Sequence, residues 1–141
     1  MKKIATAGQF ITFLTLIWLS SFASAGLKEV NPAQLQGMLD QGVVAIDIRT
    51  PQEWQQTGII PGSKTLMFFD AQGQYNIDSW LQEFEQLVTD KNQSFVLICR
   101  SANRTGRVGN FLAGQLKMEN VYHLDGGIKN WIKQQQPVTA P

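Results

Sequence analysis

Two short apolar runs constrain most strongly what this chain can fold into. Val43-Val44-Ala45-Ile46-Asp47-Ile48 and Phe95-Val96-Leu97-Ile98 are nearly continuous rather than alternating. A strand covered on both faces reads this way, because neither face is left to water. Helix signals surround these runs. Asn31-Pro32 suits an N-cap followed by the first helical position, with Ala33, Leu35, Met38 and Leu39 near one face and Gly42 as the stop. Thr50-Pro51-Gln52-Glu53 reads as a capping box directly after the first run. Further on, a loop over residues 58–63 leads to a short strand over 64–68. Asp78 is expected to cap a helix carrying Trp80, Leu81, Phe84, Leu87 and Val88 inward. A helix over about residues 105–117, a strand at 121–124, and a last helix after Gly126-Gly127 that stops before Pro137 complete the pattern, leaving a short tail. Strands alternating with helices predict the α/β class: a central, mainly parallel β-sheet with helices on both faces. Ligands in such folds gather beyond the carboxyl ends of the strands, where Asp47 and Cys99 stand.

The first 25 residues have a different character. Lys2 and Lys3 precede an apolar stretch over 10–19, and Ala23-Ser24-Ala25 supplies small residues before a cut. This pattern predicts a secretory signal cleaved between Ala25 and Gly26, leaving one domain over 26–141 in the periplasm or otherwise exported. The apolar stretch is shorter than the ~20 residues that span a bilayer, so no stable membrane anchor is expected after cleavage. The formal charge of +1 includes Lys2 and Lys3, so the mature chain is nearly neutral. With no long basic run, nothing points to nucleic acid. No cluster has metal-ligand spacing.

Cys99 is the only cysteine. An unpaired thiol in an exported protein is buried, paired with another molecule, or reactive. Its neighbours favour reactivity. In Cys99-Arg100-Ser101-Ala102-Asn103-Arg104-Thr105-Gly106-Arg107 a buried strand delivers the thiol to a tight loop that opens into a helix. Loop amides and a helix N-terminus favour thiolate over thiol and bind anions, and Arg100, Arg104 and Arg107 add positive charge. The following helix carries Gly106, Gly109, Ala113 and Gly114, which predicts close approach to the sheet. His123, the only histidine, lies within an apolar strand and reads as structural. Asp47 and Arg49 read as shaping the pocket, with a local ion pair between Arg49 and Glu53 as the plainer alternative, and Trp54, Trp80 and Trp131 as packing residues.

Four segments together resemble the rhodanese family, over nearly all of the mature chain. Asp47-Ile48-Arg49 with Glu53-Trp54 is similar to its first signature, and Gly58-Ile59-Ile60-Pro61-Gly62-Ser63 to its Gly-His-Ile-Pro-Gly-Ala turn. The loop from Cys99 to Arg104 is similar to Cys-Arg-x-Gly-x-Arg, and His123-Leu124-Asp125-Gly126-Gly127 with Trp131 to the closing segment. Ile59 stands in place of the usual histidine and Ala102 in place of the usual glycine. The resemblance implies a sulfurtransferase. Cys99 would take sulfur from a small anionic donor such as thiosulfate, hold it as a covalent persulfide without a separate cofactor, and pass it to an external thiol or cyanide-like acceptor. Arg100, Ser101, Ala102, Asn103 and Arg104 form the implied substrate loop, with Arg100 and Arg104 orienting the donor. Thr105, Asp47 and Arg49 support it. Two other readings stay open: a non-catalytic sulfur carrier that docks on a partner, and a phosphatase of the same fold. The phosphatase loop has one residue more, Cys-x5-Arg against the Cys-x4-Arg found here.

Overall fold

The computed structural model describes residues 26–141; the leader expected over residues 1–25 lies outside the described residues. Five strands form one sheet: β1 (Lys28–Val30), β2 (Val44–Asp47), β3 (Lys64–Thr65), β4 (Phe95–Ile98) and β5 (Val121–Leu124). Every pairing is parallel, in the order β1-β5-β4-β2-β3. Five helices accompany them: α1 (Pro32–Asp40), α2 (Pro51–Thr57), α3 (Ile77–Leu87), α4 (Asn103–Gly114) and α5 (Gly127–Lys133).

The nearly continuous apolar runs have the expected cause. Alternate residues of β2 and β4 feed two separate cores. Ile46, Phe95 and Leu97 pack with Trp80 and Phe84 of α3 and Leu112 of α4, whereas Ala45, Val96 and Ile98 pack with Leu35 of α1 and Ile128 and Trp131 of α5. All four residues of β4 are buried, so its first polar atom comes at Cys99. The connection leaving β2 leads to β3 on one side, and the one leaving β4 leads to β5 on the other. Cys99 stands at the carboxyl end of β4, beside this point of divergence, where open α/β sheets place their ligand crevices.

The structure departs from the sequence expectations in several places. β1 carries no apolar pattern, since only Val30 of its three residues is buried; pairing with β5 makes it a strand. The expected strand over 64–68 has two ladder residues, after which Leu66 and Phe68 donate to the Asp47 and Ile48 carbonyls. Asn76, not Asp78, caps α3, because its side chain accepts the Ser79 amide and leaves Asp78 in the first turn. The helix α4 starts at Asn103 rather than Thr105. Of its glycines only Gly109 is closely approached, since a Cβ there would lie 2.5 Å from Leu27 Cδ1 and push that side chain aside, while Gly106 and Gly114 face open space. The short tail is docked: Trp131 Nε1 donates to the Pro137 carbonyl at 2.7 Å, and Thr139 exchanges two backbone hydrogen bonds with Ile59. Ile59, where the family usually has histidine, is therefore a buried position that packs and pairs with the tail.

Candidate active site

The β4 strand ends at Cys99, which is 1% exposed. Among the described residues, none of the six amides from Arg100 to Thr105 has a protein hydrogen-bond acceptor; Gly106 is the next to donate, to Ala102 O at 2.9 Å. An uninterrupted row of free amides, ending at the start of a twelve-residue helix, is suited to bind an anion beside the sulfur. The closing Gly-Gly holds this loop from behind. Ile128 N donates to Cys99 O at 2.9 Å and Lys129 N to Arg100 O at 3.2 Å. Gly127 has φ +62, and a Cβ on it would lie 2.5 Å from both Cys99 O and Arg100 C, so only glycine fits.

Ala102 is the N-cap of α4 and adopts the left-handed conformation, with φ 70 and ψ −10. The loop shape survives without glycine, at the cost that a Cβ incurs in this region. Ala102→Gly is expected to stabilise the protein by about 0.5–1 kcal/mol, the relief of strain being partly offset by a more flexible unfolded chain. The midpoint of urea unfolding measures this, and an unchanged or lower midpoint would contradict it.

The loop arginines have three different environments. Arg104, expected to orient the donor, is instead held by Glu53 through two hydrogen bonds of 2.8 and 2.6 Å. Hydrogen bonding to Glu53 raises the Arg104 pKa against the opposing effect of burial, with smaller contributions from the charges of Cys99 and Asp47. Burial pushes the Glu53 carboxyl up, but Arg104 and the α2 cap hydrogen bonds from Thr50 outweigh it and hold the pKa at about 2. Because that value lies below the ordinary 4.5, the pair's contribution to stability is complete above pH 4.5 and lost as the pH falls through about 2. The pair is partly solvated, so ~1 kcal/mol is at stake. Unfolding measured down to pH 2 should show this loss in the native chain and not in Glu53→Gln. Arg107 stacks on Phe69, its guanidinium carbon 4.8 Å from the ring centre. Arg100 is exposed and has no acidic partner among the described residues. It faces a groove of about 380 Å³ between α2 and α5 that Lys129 and Ile132 also line. Ser101 and Asn103 are exposed on the loop and the first helical position.

Arg49 does not form the alternative local pair with Glu53 but pairs with Asp47. Both are buried, and the Asp47 carboxylate takes Arg49 Nε at 2.9 Å, Nη2 at 2.6 Å and the Arg49 amide at 3.1 Å. The guanidinium also donates to Thr57 Oγ1 at 2.7 Å and to Gly58 O at 2.8 Å. It thereby ties the end of β2 to both the end of α2 and the turn beyond it. These residues are a buried brace, with Arg49 at the floor of the groove that Arg100 and Lys129 line.

Thr105 and His123 are closer to the chemistry than the sequence suggested. Thr105 Oγ1 lies 3.5 Å from Cys99 Sγ, 3.0 Å from His123 Nδ1, and donates to Ala102 O at 3.0 Å. His123 is buried, and its Nε2 lies 3.6 Å from Glu29 Oε1. Sequence reasoning missed this cluster because three elements build it: β5 supplies His123, α4 Thr105 and β1 Glu29. The period-two alternation of β5 did hold one signal, since it places His123 on the same face as Val121, toward α4. Among the described residues no group of acidic, cysteine and histidine side chains is arranged to hold a metal ion, and no helix is long and apolar enough to cross a membrane.

Fold and site together define a class of small α/β domain in which a cysteine at the end of a central parallel strand sits within an amide-lined, arginine-bearing loop. The sequence profile of the Rhodanese-like domain matches residues 31–134, and the chain belongs to that family. It is 29% identical over 104 residues to the thiosulfate sulfurtransferase GlpE of Pseudomonas syringae pv. syringae, covering 74% of this chain and 86% of that one. The GlpE of Haemophilus influenzae is 26% identical over 113 residues, covering 79% and 93%. These relatives support sulfurtransferase function at the level of the family. Among solved structures, a rhodanese-related protein from Thermoplasma volcanium shares the fold with a TM-score of 0.60 at 24% identity, over 81% of this chain and 99% of that one. The polysulfide-sulfur transferase of Wolinella succinogenes does so with a TM-score of 0.63 at 19% identity, over 83% and 81%.

Proposed function

We propose that this protein is a thiosulfate-type sulfurtransferase working through a persulfide on Cys99. The observation that carries the proposal is the row of acceptor-free amides from Arg100 to Thr105 beside a sulfur delivered by a buried strand. The Cys99 thiolate attacks the outer sulfur of thiosulfate; the S–S bond breaks and its electron pair leaves with sulfite. The bound persulfide is an anion suited to the loop amides. An acceptor nucleophile then attacks the outer sulfur, and the Cys99 thiolate leaves. The chain has no second cysteine to resolve the persulfide, so the acceptor comes from outside.

With Arg104 committed to Glu53, Arg100 takes the larger part in drawing in the dianionic donor, assisted by Lys129 across the groove. The cleavable leader read from residues 1–25 supports an exported location for this reaction, such as the periplasm. Four residues between Cys99 and Arg104 favour sulfur over a phosphoryl group. A turnover assay with thiosulfate and cyanide tests the reading. A catalyst releases many thiocyanate molecules per protein, whereas a carrier releases at most one.

A further inference from the structure

The mechanism above leaves one buried titratable side chain unused. His123 is the only histidine in the chain, and it stands one hydroxyl away from the reactive sulfur. A count of protons at Thr105 shows what it can do there. The hydroxyl has one hydrogen to donate and two lone pairs, with three neighbours: Ala102 O, His123 Nδ1 and Cys99 Sγ. Ala102 O can only accept. If Nδ1 were bare, the ring, the carbonyl and a Cys99 thiolate would all compete for that one hydrogen. If Nδ1 carries its proton, the ring donates to Thr105 instead. The hydroxyl hydrogen is then shared only between Ala102 O, while Cys99 is a thiol, and the sulfur, once it is a thiolate.

We propose that His123 is a positioning residue for Cys99, donating from Nδ1 to Thr105 Oγ1 and so releasing the threonine hydroxyl to stabilise the Cys99 thiolate. The idea rests on Cys99 being the nucleophile, and it adds a residue outside the loop to the machinery. The charged groups acting on the ring are Glu29 from β1 and Asp125 just after β5; α4 presents only the Thr105 hydroxyl to it. Burial lowers the His123 pKa, and the two carboxylates oppose that shift. The ring is therefore mostly neutral at neutral pH and holds one proton. Nε2 lies 3.6 Å from Oε1 of the exposed Glu29, beyond hydrogen-bond reach. Nδ1 lies 3.0 Å from a Thr105 hydroxyl that donates to Ala102 O, and this contest decides the tautomer. The charged group that acts on Cys99 from the loop is Arg104.

Two measurements test this. Nitrogen NMR of the untagged protein at neutral pH reads the tautomer directly, because one histidine gives one set of imidazole signals. A proton on Nδ1 is expected, and a proton on Nε2 alone would overturn the proposal without any variant being made. The second is the pH dependence of Cys99 alkylation in His123→Leu and His123→Asn, since asparagine can place an N–H where Nδ1 stands. Leucine is expected to move the thiol midpoint upward by about one pH unit and to slow alkylation at neutral pH about tenfold, with asparagine restoring most of both. An unchanged midpoint in His123→Leu, or equal loss in both variants, would overturn it. Alkylation needs no sulfur donor. If thiosulfate delivers no sulfur to the native chain, the sulfurtransferase reading fails while this test still decides the role of His123.

Discussion

Cys99→Ser is expected to cut thiocyanate formation from thiosulfate and cyanide by about a thousandfold or more, with the fold intact. The size of the loss follows from the chemistry. A persulfide needs a sulfur nucleophile, and a serine hydroxyl is neither ionised near neutral pH nor able to hold a transferable sulfur. The side chain is 1% exposed and ends 3.5 Å from Thr105 Oγ1, so an oxygen in its place keeps the packing and can still hydrogen-bond there. Circular dichroism and unfolding should therefore match the native chain while turnover disappears. Retention of even a tenth of the native rate would contradict the assignment of the nucleophile.

The second large effect concerns stability. Arg49→Met is expected to cost about 3–5 kcal/mol, because it leaves the Asp47 carboxylate buried at 0% exposure with its guanidinium partner gone. Arg49→Lys should recover little of this. An ammonium group cannot reproduce the fork that meets both Asp47 oxygens while also reaching Thr57 and Gly58. Removing both charges, in Asp47→Leu with Arg49→Met, should cost much less than the two single changes added together, since no buried charge is then left alone. Urea unfolding of the native chain, the three single variants and the double variant checks this. A loss below about 1 kcal/mol in Arg49→Met would mean that the pair is not the brace described here.

What could be read from the sequence followed from local physics. β2 and β4 were legible because strands buried on both faces leave an unbroken apolar record, and α1 and α2 because Asn31 and Thr50 cap them with proline next in line. The place of Cys99 was legible for the same reason: a buried strand that stops there and turns into a helix is a local pattern. Partnerships across the fold were not. Glu53 stood four residues from Arg49, which suggested a local pair, yet Glu53 reaches Arg104, fifty-one residues away, and Arg49 turns back to Asp47. β1 was invisible because its two exposed or half-exposed residues are Lys28 and Glu29. The role of Thr105 between Cys99 and His123 depends on how α4 lies over β5, which no local pattern encodes. Ala102 is the mixed case: its departure from glycine flagged the position, and the left-handed backbone there shows that the geometry is kept.

The central claim is that Cys99 carries the sulfur, and the most direct measurement is the intact mass of the protein after thiosulfate and again after cyanide. One added sulfur atom is predicted, located on Cys99 by fragmentation, lost on cyanide treatment, and absent from Cys99→Ser. A native chain that gains no sulfur from thiosulfate, or that gains it equally in Cys99→Ser, would contradict the account.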